Sequence, residues 1–541
     1  MTLMTGGQAL VKSIQKNGVD TIFGLPGVQL YALFDAVYQE GDALKLIHTR
    51  HEQGAAYMAF GYSQSTGRVG VCTVVPGPGL LNTGAALCTA HGCNAPVLCV
   101  TGQIPSKFIG KGYGMLHEIA DQMGTMGSVT KWQGRADHPA DTPRLIRDAF
   151  EQLNTGRRRP VMVEMAPDVM ALEADVELLE PPEAYSEAEP DLDLIERAAK
   201  ILGNAESPGI FVGGGIYGAE EELCQLAEAL QAPVFMSENG FGAVDWRHYL
   251  AQNMLAGARM WPRIDAALAV GTRFIMPMHH WGHDEGIKLI RVDPDPAQPV
   301  EAWKPDVHIV ATGKKALGLL AERAARHNRR RASREEELNN LKKRVAEDLA
   351  EQLPTQHAYT MAIREALPED GIACFGVTQL GFYSWYGFPV YRPHTMIQPG
   401  YQGTLGYSFP TALGAKVAHP DKIVVCVVGD GGFMFNVQEL ATAVLHKINL
   451  VTVLFNDEAF GNVRRTQKNV YGGRVIGSDL KNPDFMKLAD SFGVMGLRTD
   501  SPEGLKALLN EALKADAPVL IEVKCGEFPA WEKIRPLGKI R

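Results

Sequence analysis

The chain has 541 residues, 45% hydrophobic and 21% charged, which is ordinary globular material and long enough for about three domains at roughly 150 residues each. Its net charge of -9 offers no basic face to nucleic-acid phosphates or anionic lipid, so neither partner is expected. Eight cysteines, mostly inside apolar runs and without a Cys-x-x-Cys pair, read as reduced thiols of a cytoplasmic protein, and with no signal-peptide core or apolar run near the roughly 18 residues of a membrane span, no membrane partner is expected.

The first segment alternates short apolar runs with helical patterns. Asp20–Gly24 reads as a strand, Leu30–Gln39 as a helix, Leu44–His48 as a strand, the stretch from Gln53 as a helix and Val69–Val74 as a strand. This is βαβ patterning, which implies a parallel sheet, with Pro160–Met165 as its last strand. The acidic, Pro-rich stretch Glu180–Pro190 reads as a linker. A second α/β block contains Pro208–Gly215, Ala266–Gly271 and Lys288–Asp293, and fades into Arg326–Glu347, whose opposite charge blocks read as a solvated helix. A third block repeats the βαβ style. The expected fold class is α/β, with three open parallel-sheet domains over residues 1–175, 190–330 and 355–541.

The third block carries the sharpest motif. The strand Ile423–Val428 runs into Gly429-Asp430-Gly431-Gly432, and the strand Leu450–Phe455 ends in Asn456-Asp457-Glu458-Ala459. In a right-handed βαβ unit both strands deliver their C-terminal ends to one edge, so Asp430 and Asp457 are expected to meet there. Two carboxylates, a carbonyl and a diphosphate are the oxygen ligands that Mg²⁺ prefers, and the glycines let the backbone approach phosphate oxygens. Alone, Gly-Asp-Gly-Gly also reads as a tight strand-to-helix turn. In the first block Glu52 opens a helix after the strand Leu44–His48, where a carboxylate also reads as a dipole partner or cap.

Longer strings carry a resemblance. Gly429-Asp430-Gly431, with Asp457 twenty-seven residues after Asp430, resembles the thiamine diphosphate motif. His51-Glu52-Gln53-Gly54-Ala55-Ala56, then Val74–Gly79 and Asn82, then Val100–Pro105, are similar in order and spacing to the pyrimidine-binding domain of acetolactate synthases. The resemblance spans all three blocks and names them pyrimidine-binding, central and diphosphate-binding. It implies thiamine diphosphate and Mg²⁺ as cofactors, with Asp430, Asp457 and the carbonyl of Ala459 on the metal. Glu52 is then the carboxyl group that activates the aminopyrimidine, and a desolvated place that raises its pKa is expected. Gly27, Pro76, Asn82, Thr378, Gln379, Gly403, Gly429, Gly431, Gly432, Phe460 and Gly461 are implied as further cofactor contacts, and Leu405 as the apolar wedge beneath the cofactor. The implied reaction is decarboxylation of a 2-keto acid, most simply pyruvate, with carboligation to a second carbonyl. A homodimer is the implied minimum unit and a homotetramer the expected assembly.

The string departs from the family in places. Asp457 stands where the family has the second Asn, adding a negative charge beside the diphosphate. Thr466 stands where acetohydroxyacid synthases have a Trp that selects the acceptor, which enlarges or repolarises that pocket. His117 stands where the synthases have Gln and resembles a histidine of pyruvate decarboxylases, positioned to move protons; it also reads as a hydrogen-bonded loop histidine. Gly213-Gly214-Gly215 and Gly271-Thr272-Arg273-Phe274 resemble parts of the family's FAD face, but Ile275-Met276-Pro277 replaces its usual continuation, so FAD is not expected. The open alternatives are a simple 2-keto acid decarboxylase, a benzaldehyde lyase-like carboligase, an acyl-CoA lyase or decarboxylase and a non-catalytic binding relative.

Overall fold

The computed structural model describes residues 1–296, 303–329 and 331–541 and arranges them around three six-stranded sheets. The chain opens with β1 (Thr2–Thr5) and then lays down β2 (Thr21–Gly24), β3 (Lys45–His48), β4 (Gly70–Val74), β5 (Val97–Gly102), β6 (Trp132–Ala136) and β7 (Val161–Met165). These six are parallel in the order β3-β2-β4-β5-β7-β6. Next, β8 (Glu173–Val176) returns to pair antiparallel with β1, a ribbon that the sequence pattern does not announce.

The central sheet comprises β9 (Pro208–Val212), β10 (Val234–Met236), β11 (Ala251–Asn253), β12 (Ala266–Val270), β13 (Lys288–Asp293) and β14 (Val307–Val310), ordered β11-β10-β9-β12-β13-β14. The third comprises β15 (Ile372–Phe375), β16 (Met396–Ile397), β17 (Val424–Gly429), β18 (Val451–Asn456), β19 (Met495–Thr499) and β20 (Val519–Lys524), ordered β16-β15-β17-β18-β20-β19. The first and third sheets therefore share one strand order and the central sheet has another. Sheet growth reverses direction between β2 and β4, between β9 and β12, and between β15 and β17, and in the first and third sheets β7 and β20 also insert inside β6 and β19. Open α/β sheets bind ligands outside the strand ends at such reversals.

Helices cover both faces of these sheets, which is why β17 and β18 are continuous apolar runs instead of alternating ones. The first and third domains are joined by the helix Glu52–Thr66 crossing the helix Ser408–Ala418. That crossing depends on two glycines: a Cβ on Gly61 would lie 1.9 Å from the Thr411 carbonyl oxygen, and one on Gly414 would lie 2.0 Å from that of Met58.

The stretch Arg326–Glu347 is not one solvated helix. One helix ends at His327 and the next begins at Glu335. Between them Arg331 donates to the carbonyls of Leu202, Gly203 and Ala205, which the helix Leu192–Asn204 leaves without intrahelical partners at its end. Arg330 of that stretch lies outside the described residues. All eight cysteines are free. Among the described residues, no helix is long and apolar enough to cross a membrane.

Candidate active site

The residues expected at the site fall at a strand end, in the loop that follows one, or in the short helix or first helical turn after it. In the first domain β3 delivers His51, whose Nδ1 accepts the Gln53 N–H at 3.1 Å and so caps the helix that Glu52 opens. The Glu52 carboxylate accepts from Asn82 Nδ2 at 3.0 Å, and its other oxygen is 3.2 Å from where a Gly79 Cβ would stand. Gly27, after β2, packs against Val75, since a Cβ there would lie 2.2 Å from Val75 Cγ1; Pro76 follows β4 beside Gly102. Gly27, Glu52, Pro76 and Asn82 thus share one edge. Glu52 is half-buried in the protomer, not sealed in the desolvated place expected for it, because the exposed Asn82 is its neighbour and the edge faces outward.

His117 reaches the same edge. It adopts φ +68, and its carbonyl oxygen is 2.2 Å from the position of a Gly77 Cβ, so residue 77 must be glycine for the two loops to touch. The imidazole Nδ1 lies 3.0 Å from Gln29 Oε1.

The third domain builds the acidic half. Parallel pairing sets Gly429 opposite Phe455, so Asp430 and Asp457 follow neighbouring strand ends. Asp457 is pushed up to about 6 by burial and by the Asp430 charge, against which Arg464 works. Burial also raises Asp430, opposed by Asn482, whose Nδ2 donates to it at 2.6 Å and to Asn456 Oδ1 at 2.9 Å. Ala459 sits in an isolated bridge opposite Asp479, made by Phe460 N–H to Ser478 O and Leu480 N–H to Glu458 O. Neither bond uses the Ala459 carbonyl, which stays available as a third oxygen. Two buried carboxylates, of which Asp430 raises Asp457, and a free carbonyl form a donor set suited to a hard divalent cation. Among the described residues, no cluster of three or more His, Cys, Asp or Glu competes with it.

Around this pair the backbone is open. A Cβ at Gly432 would meet nothing nearer than 3.7 Å, and one at Gly403 nothing within 4 Å. Gly431 lies under the Phe460 ring and Gly461 against the Asp457 carboxylate, while the Gly429 Cβ position is 3.3 Å from the Thr378 methyl. Thr378 Oγ1 caps its own helix by accepting the Gly381 N–H at 3.0 Å. Gln379 is turned elsewhere: its amide lies 2.9 Å from that of Asn462 and 3.1 Å from the Arg465 guanidinium. Leu405 is partly buried in a loop held to the first domain through the Thr404 and Thr89 hydroxyls, 2.8 Å apart. Thr466 is exposed, with its hydroxyl bonded to Asn462 O at 3.0 Å.

Four residues at the site have no motif to mark them. Glu439 is buried and accepts the N–H groups of Arg50 and His51, which lead into Glu52. Asn482 precedes a proline and reads only as a turn, Gln29 is one polar residue in an apolar stretch, and Asn436 bridges Gly406 O and Gln53 Oε1. Their partners are far away in sequence, so no local pattern exposes them.

A cavity of about 1420 Å³ opens at the reversal of the central sheet, lined by Gly213–Gly215, Gly271, Arg273 and Asp293, reached by Arg157 and extending to Gly376 and Gly403 of the third domain. Arg157 is bound to Asp293 at 3.0 Å, and Arg273 donates to Gly92 O at 2.7 Å while lying 4.3 Å above the Tyr401 ring.

Comparison with known proteins matches the three domains. Family models for the thiamine pyrophosphate enzyme N-terminal TPP binding domain, central domain and C-terminal TPP binding domain match residues 4–125, 195–320 and 376–523. A "Probable acetolactate synthase large subunit" of Methanocaldococcus jannaschii is 33% identical over 570 aligned positions, covering 99% of this chain and 94% of the relative. The acetolactate synthase large subunit of Corynebacterium glutamicum is 32% identical, covering 97% of this chain and 87% of the relative. A "Probable 2-ketoarginine decarboxylase" of Pseudomonas aeruginosa is also 32% identical, covering 96% and 94%.

Proposed function

Because the chain belongs to the thiamine pyrophosphate enzymes of the acetolactate synthase type, we propose that it decarboxylates a 2-keto acid, most simply pyruvate, and joins the product to a second carbonyl. The observation that carries this reading is the pairing of Asp430 with Asp457 at neighbouring strand ends, in a chain whose other half presents Glu52 at a helix start. When bound, thiamine diphosphate supplies a carbon nucleophile for the keto carbonyl and an electron sink for the departing CO₂.

The chain's residues have separable tasks in this reading. Asp430, Asp457 and the Ala459 carbonyl would hold Mg²⁺, and the open backbone at Gly403 and Gly432, with Gly429 and Gly431 beside it, would admit the diphosphate. Glu52 would hold a proton at the aminopyrimidine ring nitrogen, kept in place by Asn82. Leu405 would support the cofactor from below. The half-buried Glu52 would be covered by the third domain of a second copy, so the working unit is a homodimer at least, with a homotetramer the fuller assembly. FAD has no part in this reading, since Ile275-Met276-Pro277 replaces the continuation of the family's FAD face.

A second reading is decarboxylation without ligation. His117 on the Glu52 edge and the relative named as a 2-ketoarginine decarboxylase favour it, as does the small, polar Thr466 at the expected acceptor position. The deciding experiment measures CO₂ and product from pyruvate, and then from longer 2-keto acids, using apoprotein with and without thiamine diphosphate and Mg²⁺. Cofactor-dependent acetolactate supports the synthase. Aldehyde alone supports the decarboxylase. CO₂ from none of the keto acids overturns both.

A further inference from the structure

Gln29 occupies the 3₁₀ turn Val28–Leu30 after β2 and is only 5% exposed. Its amide nitrogen donates to the Leu116 carbonyl at 3.0 Å, and its Oε1 lies 3.0 Å from His117 Nδ1. These two contacts leave one consistent assignment. The Leu116 carbonyl can only accept, which fixes the amide with its nitrogen toward Leu116 and its oxygen toward the imidazole. That oxygen can only accept as well, so His117 Nδ1 must carry the hydrogen, and in the neutral ring Nε2 is then the bare nitrogen. Among the described residues, Nε2 has no partner.

The backbone leaves the ring little choice of place. His117 is left-handed at φ +68 and its carbonyl sits against Gly77, at the start of the turn whose far side, Gly79, touches Glu52. Adjacent Glu118 turns into its own loop, accepting the N–H groups of Gly112 and Met115 at 3.1 and 2.8 Å. Behind Gly77, Gln122 accepts the Gly77 N–H and donates to Glu164, which is paired with Arg135. The charged groups on or against this loop are Lys107, Lys111, Glu118 and Asp121 of the loop itself, Glu52, and the Glu164–Arg135 pair, while the imidazole itself is held by a neutral amide.

We propose that Gln29 is a positioning residue that holds His117 as the Nδ1–H tautomer and so presents Nε2, on the Glu52 edge, as the atom that accepts and returns a proton during turnover. The proposal rests on the reading above, in which that edge receives the 2-keto acid.

The test is the ¹⁵N spectrum of histidine-labelled holoenzyme, with the His117 signals identified by their loss in His117→Gln. The wild type is expected to show protonated Nδ1 and bare Nε2. Gln29→Leu is expected to mix the tautomers and lower kcat on the order of 10²-fold with KM little changed, as for loss of a general acid–base group. Gln29→Glu keeps an acceptor at Nδ1 but loses the donor to the Leu116 carbonyl, so it is expected to keep the tautomer, recover part of kcat and move the acid limb of the pH profile upward. A wild-type ring protonated at Nε2, or a Gln29→Leu enzyme with unchanged spectrum and rate, overturns the proposal. Full turnover by His117→Gln also overturns it. If no keto acid yields CO₂ with the wild type, the functional reading fails instead, and the spectrum still decides whether Gln29 sets the ring.

Discussion

The Glu439 carboxylate accepts the backbone N–H of His51 at 3.1 Å and that of Arg50 at 3.2 Å, so a residue of the third domain holds the chain that leads into Glu52. A third bond comes from Thr442 Oγ1 at 2.6 Å. Burial raises the acid while these donors oppose the rise, and the carboxylate is anchored where backbone donors converge. Glu439 thereby ties the third domain to the start of the Glu52 helix.

Glu439→Gln should lose stability and activity together. The new amide offers one acceptor oxygen and a nitrogen that faces other donors, and an unsatisfied buried group costs about 1–3 kcal/mol. A lower unfolding midpoint in urea with reduced kcat is expected. An unchanged midpoint would show that the domains are joined without it.

Glu52→Gln should separate binding from chemistry. Asn82 can still donate to the new side-chain oxygen, so affinity for thiamine diphosphate, read by fluorescence quenching, should change little. Turnover should fall by about 10²–10⁴-fold, the contribution typical of a positioned acid or base. Near-normal turnover would remove Glu52 from the mechanism.

Much of this arrangement is legible in sequence because local chemistry carries it. The run Val424–Val428 is β-branched apart from Cys426 and is bounded by glycine, and the next strand is parallel to it, so Asp430 and Asp457 have to arrive at one edge. Glu439 is different: it lies 388 residues from His51, and nothing in Gln438-Glu439-Leu440 says what it will accept from. The β1–β8 ribbon is hidden for the same reason, since each strand has only four residues and its partner is remote. Arg331 looks like part of a charged helix until tertiary structure brings it to the carbonyls at the end of another helix.

Gly414→Ala should be among the most damaging single-methyl changes. Its Cβ would stand 2.0 Å from the Met58 carbonyl oxygen, a rigid backbone atom, so the two crossing helices must separate. Overpacking costs about 1–3 kcal/mol, occasionally more. Low soluble yield or a clearly lowered melting temperature is expected, whereas Gly538→Ala, where a Cβ meets nothing within 4 Å, should be neutral.

Arg465→Met should loosen the C-terminal segment. Arg465 is 6% exposed and joins Glu532, at 3.0 Å, to the Gln379–Asn462 pair. Beside Glu532, Trp531 stacks on Phe382 with ring centroids 4.4 Å apart. Without the guanidinium, hydrogen exchange over residues 526–541 should accelerate while the β17–β18 amides stay protected. Unchanged exchange would mean that the aromatic stack alone holds the segment.

Asp457→Asn should stabilise the metal-free protein and flatten its pH dependence. Asp457 is raised from 3.8 to about 6, first by burial and then by Asp430. A carboxylate raised on folding contributes stability below its unfolded value, and that contribution is lost as pH climbs through the folded value. Above about pH 6 the apoprotein therefore keeps two ionised carboxylates in one place, and a neutral amide should relieve this by roughly 1–2 kcal/mol after allowance for solvent screening. Melting of the apoprotein should rise in the variant at pH 7.5 and change much less at pH 4. The same proton competes with Mg²⁺, so the wild type's apparent affinity should weaken as pH falls below about 6, with a shallower dependence in the variant. Equal melting of the two apoproteins at pH 7.5 would show that the Asp430 and Asp457 charges do not oppose each other.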